Sequence, residues 1–287
     1  MRRLAALLLA ALVLATGRDG SAAEPAADRI VAIGGDVTEI LFALGAGDRI
    51  VAVDLTSRHP AAARALPNVG YMRQLSAEPI LALAPDHIIA VSDAGPADAV
   101  AILRQAGVRY TTVEDEPDVE GALAKVAAVA AAVGREDAGA ALAAEMRRKL
   151  DAIAGEVAAR TVRPRVVFLL SVGRGALLAG GRDTSADGAI RLAGGENVAA
   201  EFAGYKPFEP EAMAAADPEA VIVTDRTVEA LGGVDAILAL PALSGTTAVK
   251  QGRVLVFDGQ KLLGFGPRLP EAVAELAAAL AETGVGK

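Results

Sequence analysis

Beyond residue 27 the apolar positions fall into short β-rich runs separated by longer helical patterns. Arg29-Ile30-Val31-Ala32-Ile33 predicts a strand, and Gly34-Gly35-Asp36 breaks it. Val37–Leu44 follows with helical periodicity, with Asp36 as N-cap, Glu39 three residues on, and Gly45 and Gly47 as the stop. Arg49–Val53, His87–Val91 and Val108–Val113 predict further strands, the last preceded by a helix over Ala97–Gln105. Strands alternating with helices imply mainly parallel sheets with helices on their faces.

From Val119 to Arg160 the pattern changes to an alanine-rich, charged stretch without a strand signal, interrupted at Gly134 and Gly139. It predicts two helices, the second over Glu136–Arg160. A 25-residue helix spans about 37 Å, enough to cross from one lobe to another. Pro164 marks a restart. Strands over Arg165–Leu170, Val221–Thr224 and Val254–Phe257 then alternate with helices over Val228–Leu238 and Pro270–Glu282. The predicted organisation is an N-terminal α/β lobe over 28–134, an interlobe helix over 135–161 and a C-terminal α/β lobe over 162–287.

The halves echo each other. Ser76-Ala77-Glu78-Pro79-Ile80-Leu81-Ala82-Leu83-Ala84-Pro85-Asp86 leads into one apolar strand, and Glu209-Pro210-Glu211 through Asp217-Pro218-Glu219 leads into another. In each, a glutamate stands seven residues before a proline, followed by an acidic residue. The unit is a common αβ connection, but one copy per half favours two similar lobes. Two lobes make a cleft, and open α/β sheets bind ligands beyond the carboxyl ends of their strands.

Residues 1–23 predict a secretory signal: Arg2 and Arg3, the uncharged apolar run Leu4–Ala15, and the small exit Ser21-Ala22-Ala23. The run is shorter than the ~20 residues of a membrane span. Export together with two lobes points to a periplasmic solute-binding protein, a class that clamps its ligand between domains.

Composition narrows the chemistry. The 287 residues carry a formal charge of −8, and loss of three arginines and one aspartate with residues 1–23 takes it to −10. That argues against general affinity for nucleic acid or an anionic membrane. There is no cysteine, which excludes disulfides, thiolate zinc sites, cysteine-held clusters and covalent c-type haem. Two histidines leave little for a multi-histidine metal site. Hydrophobic residues make up 53% but aromatics only 3%, three of them tyrosines, so alanine inflates the first figure. Binding chemistry falls to carboxylates, arginines, hydroxyls, backbone and tyrosine.

Leu66-Pro67-Asn68-Val69-Gly70-Tyr71-Met72-Arg73-Gln74-Leu75-Ser76-Ala77-Glu78 resembles the tyrosine segment of periplasmic haem-binding proteins that feed bacterial ABC importers. Leu81-x-Leu83-x-Pro85-Asp86, the Arg29–Gly34 strand, Ala186-Asp187, Gly194-Gly195-Glu196-Asn197 and Gly266-Pro267-Arg268 are similar to the broader family of vitamin B12 and ferric-siderophore binders. The resemblance covers essentially the whole mature chain. It implies two Rossmann-like lobes, a rigid interlobe helix, little closure on binding, and a monomer that serves as carrier to a permease dimer rather than as an enzyme.

The resemblance further implies that Tyr71 coordinates haem iron. A phenolate is a hard oxygen donor suited to ferric iron, and binding in that form is helped by the iron and by nearby cations. Arg73, two residues on, is the adjacent candidate. Arg226 lies where family members place an arginine near the ligating tyrosine, and arginine keeps its charge when partly buried. Arg58 is a candidate for the propionates, against the plainer reading of a solvated loop arginine. Tyr205 is a candidate cleft residue of the second lobe, while Tyr110, in a strand, reads as core. The resemblance gives Glu78 and Glu211 a docking role toward the permease; helix capping is the plainer alternative.

One departure bears on stoichiometry. Some family members carry a second-lobe histidine, and Leu170-Ser171-Val172-Gly173-Arg174 holds none, which favours one five-coordinate ferric haem. His59 and His87 read as structural, and the soft thioether of Met72 suits ferric iron less well. Cobalamin or a ferric siderophore on the same fold is the nearest alternative. A zinc or manganese binder lacks histidines, and an exported α/β enzyme lacks a recognisable acid–base pair.

Overall fold

The computed structural model describes residues 28–172 and 176–284; the predicted signal segment and Gly173-Arg174 lie outside them. The first lobe is built on four parallel strands, β1 (Ile30–Ile33), β2 (Ile50–Val53), β3 (His87–Val91) and β4 (Arg109–Val113), in the order β2-β1-β3-β4. β1 and β3 are buried at every position, as expected for parallel strands covered on both faces. Their side chains alternate between two cores. Ile30 and Ala32 pack with Val37, Ile40 and Leu41 of α1 (Gly35–Ala43). Val31 and Ile33 pack with Ile80 of α2 (Ala77–Ala82) and Leu103 of α3 (Ala97–Gln105).

Two helices follow, α4 (Val119–Val133) and α5 (Glu136–Ala158). Gly134, at φ +68°, closes α4 and turns the chain so that α5 packs along it. The packing is close: a Cβ on Gly139 would come 2.4 Å from the Cβ of Ala130.

The second lobe holds β5 (Arg165–Val172), β6 (Ala176–Gly180), β7 (Glu196–Asn197), β8 (Tyr205–Lys206), β9 (Ala220–Thr224) and β10 (Val254–Phe257). The order is β10-β9-β5-β6-β8, with β7 beside β5. β5, β7, β9 and β10 are parallel, whereas β6 and β8 run antiparallel to their neighbours. The helices here are α6 (Ser185–Leu192), α7 (Pro210–Ala216), α8 (Asp225–Leu231), α9 (Val234–Leu238), α10 (Thr247–Lys250), α11 (Gly259–Leu263) and α12 (Leu269–Gly284).

The lobes share one apolar core. A single cluster contains Ile30 and Ile89 of the first sheet, Val126 and Val129 of α4, Met146 and Leu150 of α5, Val166 and Phe168 of β5, and Leu276 of α12. Parting the lobes would expose that surface, so burial itself resists opening. The stretch predicted as the interlobe helix holds α5, and α4 also contributes buried residues to the shared core.

Two predictions need correction. Asp36 does not cap α1; Gly34 stands at the N-cap with φ +114°, and the buried Asp36 carboxylate instead receives the Lys125 ammonium. The helix predicted over Val228–Leu238 is two helices, because Gly232 and Gly233 both take positive φ. The antiparallel β6–β8 ribbon and α6 went unpredicted. Among the described residues no helix is long and apolar enough to cross a membrane.

Candidate functional site

Tyr71 is delivered to the carboxyl edge of the first sheet by a segment that runs on from β2. Val53 N–H donates to Pro67 O and Val69 N–H to Val53 O, both at 2.9 Å, and Leu55 N–H donates to Gly70 O at 2.8 Å. Gly70 then takes φ +96° in open space, so the demand for glycine here is conformational and not steric. Tyr71 follows at once and is half-buried. On its other side, Gly95 N–H donates to Met72 O and Leu75 N–H to Gly95 O, both at 2.8 Å, tying the segment to the loop after β3.

Arg73 Nη1 donates to the Tyr71 hydroxyl oxygen at 2.9 Å, and its Nη2 forms an ion pair with Asp93. Burial opposes the charge on Arg73, but Asp93 and Tyr71 outweigh it and push its pKa up. The loop after β2 is set by Asp54, fully buried, which accepts from Gly34 N–H, from the Ser57 hydroxyl, and from both the N–H and the hydroxyl of Thr56.

Arg58 leaves that loop toward the second lobe and pairs with Asp225 at 3.5 Å. Asp225 and Arg226 open α8 directly after β9, and Arg226 is exposed. Arg58, Arg64 and Asn68 of the first lobe and Arg226 and Glu229 of the second line an open depression of about 460 Å³, to which Leu55, 48% exposed, adds an apolar wall. Asn68 links it to the tyrosine loop by accepting from Gly70 N–H at 2.8 Å. A depression of about 600 Å³ lies within the second lobe, between β7 and α7. None of the predicted ligand-binding residues lines it, so the interlobe cleft is the better candidate.

Tyr205 lies on β8 with its ring edge-on to Phe168, centroids 6.4 Å apart. Burial raises its pKa, opposed by hydrogen bonds with the Ala186 backbone and the Thr184 side chain and by the charge of Arg73. Its hydroxyl is thus engaged at the start of α6 while within electrostatic reach of Arg73. The structure therefore joins Tyr71 to Arg73 and groups Arg58 with Arg226, and holds Tyr205 by its own lobe.

The other predicted residues sit elsewhere. Glu78 and Glu211 are exposed in the first turns of α2 and α7. His59 N–H donates to Gln260 Oε1 at 3.0 Å, and His87 is buried with Nε2 2.8 Å from Thr111 Oγ1. Tyr110 is only half-buried, with the Arg104 guanidinium 4.7 Å above its ring. Sequence reasoning missed Asp93, Arg64 and Leu55. Asp93 lies 20 residues from Arg73, and no local pattern marks it.

The periplasmic binding protein family model matches residues 30–260. The chain belongs to that family. Among solved structures of periplasmic binding proteins, the periplasmic heme-binding protein RhuT from Roseiflexus sp. RS-1, in apo form, is 38% identical with a TM-score of 0.87, over 90% of this chain and 99% of its own. The periplasmic heme-binding protein BhuT in complex with two hemes is 43% identical with a TM-score of 0.84, over 89% of this chain and 98% of its own. A cobalamin-binding protein of Halobacterium salinarum is 28% identical over 89% of this chain and 70% of its own length. The two-lobe α/β architecture is thus that of periplasmic binding proteins. Among the described residues no group of three or more His, Asp or Glu side chains is placed to hold a metal ion.

Proposed function

We propose that this protein captures ferric haem in the interlobe cleft and delivers it to the permease of an ABC importer. The observation that carries the reading is the Tyr71–Arg73 hydrogen bond at the carboxyl edge of the first sheet. A phenolate oxygen is a suitable axial donor for ferric iron. Arg73 supplies positive charge where an iron-bound phenolate carries negative charge. Arg58, Arg64 and Arg226, around the depression beside the tyrosine loop, offer cations to the two propionates. Leu55 offers the ring an apolar surface. Binding and release make and break no covalent bond of the substrate, so the role is carriage. The greater identity to BhuT and RhuT than to the cobalamin-binding protein favours haem over cobalamin.

In this reading residues 1–23 direct export and are removed near Ala23, and the mature monomer meets a permease dimer through Glu78 on the first lobe and Glu211 on the second. Exposed carboxylates on matching helices of the two lobes are suited to steering and registering such an encounter.

The test is titration of the purified mature protein with haemin, and separately with cyanocobalamin, followed by visible spectroscopy. A high-spin ferric tyrosinate spectrum that is lost in Tyr71→Phe is the expected result. Unchanged haemin binding in that variant would overturn the ligand assignment, and cobalamin binding without haemin binding would overturn the substrate. The same titration counts haems: one per chain is expected from the absence of a histidine in Leu170–Arg174, and two, as in BhuT, would correct that count.

A further inference from the structure

Arg73 is a shared cation. One arm of its guanidinium donates to the Tyr71 oxygen at 2.9 Å, and the other is paired with Asp93. The backbone beside Asp93 is anchored. Its loop is fastened at Ala94 N–H to Val91 O at 3.1 Å and at Gly95 N–H to Met72 O at 2.8 Å, and Gly95 O receives Leu75 N–H. The backbone that carries Asp93 and the tyrosine loop are thus held together, with the guanidinium between the two side chains. The surrounding charges are Asp115, which feels Asp93, the buried Lys125 that pairs with Asp115 and Asp36, and Tyr205 of the second lobe, which feels Arg73.

We propose that Asp93 is a positioning residue that tunes the tyrosinate–iron bond by holding Arg73 in register with Tyr71 while drawing off part of its charge. The inference rests on the haem-binding reading above. Two effects follow from the geometry and oppose each other. Asp93 orients Arg73 before haem arrives, which favours binding. Once Tyr71 is an iron-bound phenolate, the nearby carboxylate repels it and competes for the same cation, which favours release. In the loaded protein the phenolate attracts the guanidinium by itself, so orientation adds little and the carboxylate charge is the larger effect. A carrier gains from that balance, since its bond to iron must be exchangeable.

Asparagine at position 93 keeps an acceptor for Arg73 and removes the charge. In Asp93→Asn, loss of haem to excess apomyoglobin is expected to slow by about three- to tenfold, and the tyrosinate charge-transfer band to move to higher energy as the phenolate is better stabilised. Asp93→Glu should restore both toward the native values. A residue that merely braced the loop would speed haem loss when altered and leave the band of the bound fraction in place. If native protein and Tyr71→Phe behave as expected while Asp93→Asn sheds haem as fast as the native protein or faster, the tuning role is wrong and the haem reading stands. If the native protein shows no tyrosinate band, or Tyr71→Phe keeps it, both fall.

Discussion

Glu39 on α1 and Arg268, just ahead of α12, clasp each other across the junction of the lobes. Arg268 donates from Nη2 and Nε to Glu39 Oε2 at 2.9 and 3.0 Å, and from its backbone N–H to Oε1 at 3.1 Å. Two further contacts cross the same seam. Lys125 Nζ donates to Gly264 O at 2.8 Å while paired with Asp36 and Asp115, and Gln260 Nε2 donates to Gly35 O at 2.7 Å. Glu39 and Lys125 are buried, so each depends on its partner to keep its charge out of water. Together with the apolar core below, the seam makes the two lobes one body.

Glu39→Gln should therefore destabilise the protein by about 2 kcal/mol, because it removes the buried carboxylate from a half-buried Arg268 that keeps only the longer pair with Asp258 at 3.7 Å. Glu39→Met combined with Arg268→Met should recover part of that loss, since an apolar pair leaves no orphaned charge. Urea unfolding of both variants measures it. A single-variant cost below about 1 kcal/mol would mean that the clasp contributes no more than an exposed surface pair.

The Arg73 guanidinium meets two oxygens on two loops, a task for a planar fork rather than a point charge. Arg73→Lys keeps the charge but cannot reach Tyr71 and Asp93 with the same geometry. We expect it to retain the fold and to lose haem about tenfold faster, equivalent to one charge-assisted hydrogen bond. Apomyoglobin transfer rates beside a thermal melt separate the two. A rate equal to the native one would show that charge alone suffices.

How far these features can be read from sequence depends on the range of the interactions that set them. The parallel strands of four or more residues are legible because each is a short, largely apolar run framed by glycine, proline or a charge, and Tyr71 and Arg73 are legible because the motif is local. β8 is two residues long and owes its strand pairing to β6, 25 positions away at Gly180↔Tyr205, so its own sequence carries no signal. Asp36 reads as a cap only until Lys125, 89 residues on, is brought to it. Asp93 and the Gln260 contacts to Arg58 and His59 are absent from any window of sequence for the same reason.

Gly70 has an open space beside it yet sits at φ +96°. A methyl group there meets no neighbour, so Gly70→Ala isolates backbone strain, costing about 1–2 kcal/mol if the turn is kept. The cheaper response is for the turn to relax and carry Tyr71 with it. Haem retention should then fall more than global stability does, which parallel melts and haemin titrations would show. Equal losses in both would mean that the turn does not position the tyrosine.

His87 gives the fold a pH dependence of known sign. Burial, helped by Arg109 and Arg49 and opposed by Asp28, depresses its pKa from 6.5 to about 4. The folded state thus binds the proton later than the unfolded chain does. Its stability is complete above pH 6.5, falls as the pH drops from 6.5 to 4, and levels off below, with a full loss of roughly 3 kcal/mol at 1.36 kcal/mol per pH unit. His87→Gln keeps a partner for Thr111 and cannot titrate, so its denaturation midpoints should decline less steeply across that window. Parallel declines for the two proteins would remove His87 as the source.

Glu78 and Glu211 separate a docking role from a structural one. Each stands in the first turn of a short helix, where a carboxylate stabilises by about 0.3–1 kcal/mol through the helix dipole. If capping were their whole task, reversing both to arginine would lower stability by at most about 4 kcal/mol, since each reversal loses one favourable dipole interaction and adds an unfavourable one, and would leave transport in proportion to folded protein. If they register the two lobes on cationic groups of the permease, the same reversal should leave haem retention native and abolish delivery into vesicles carrying the importer. Native delivery by the folded double variant would exclude docking through these two residues. Restoration by charge-reversed permease residues would identify their partners, and the salt dependence of the native rate should weaken in step with the lost charge pairs.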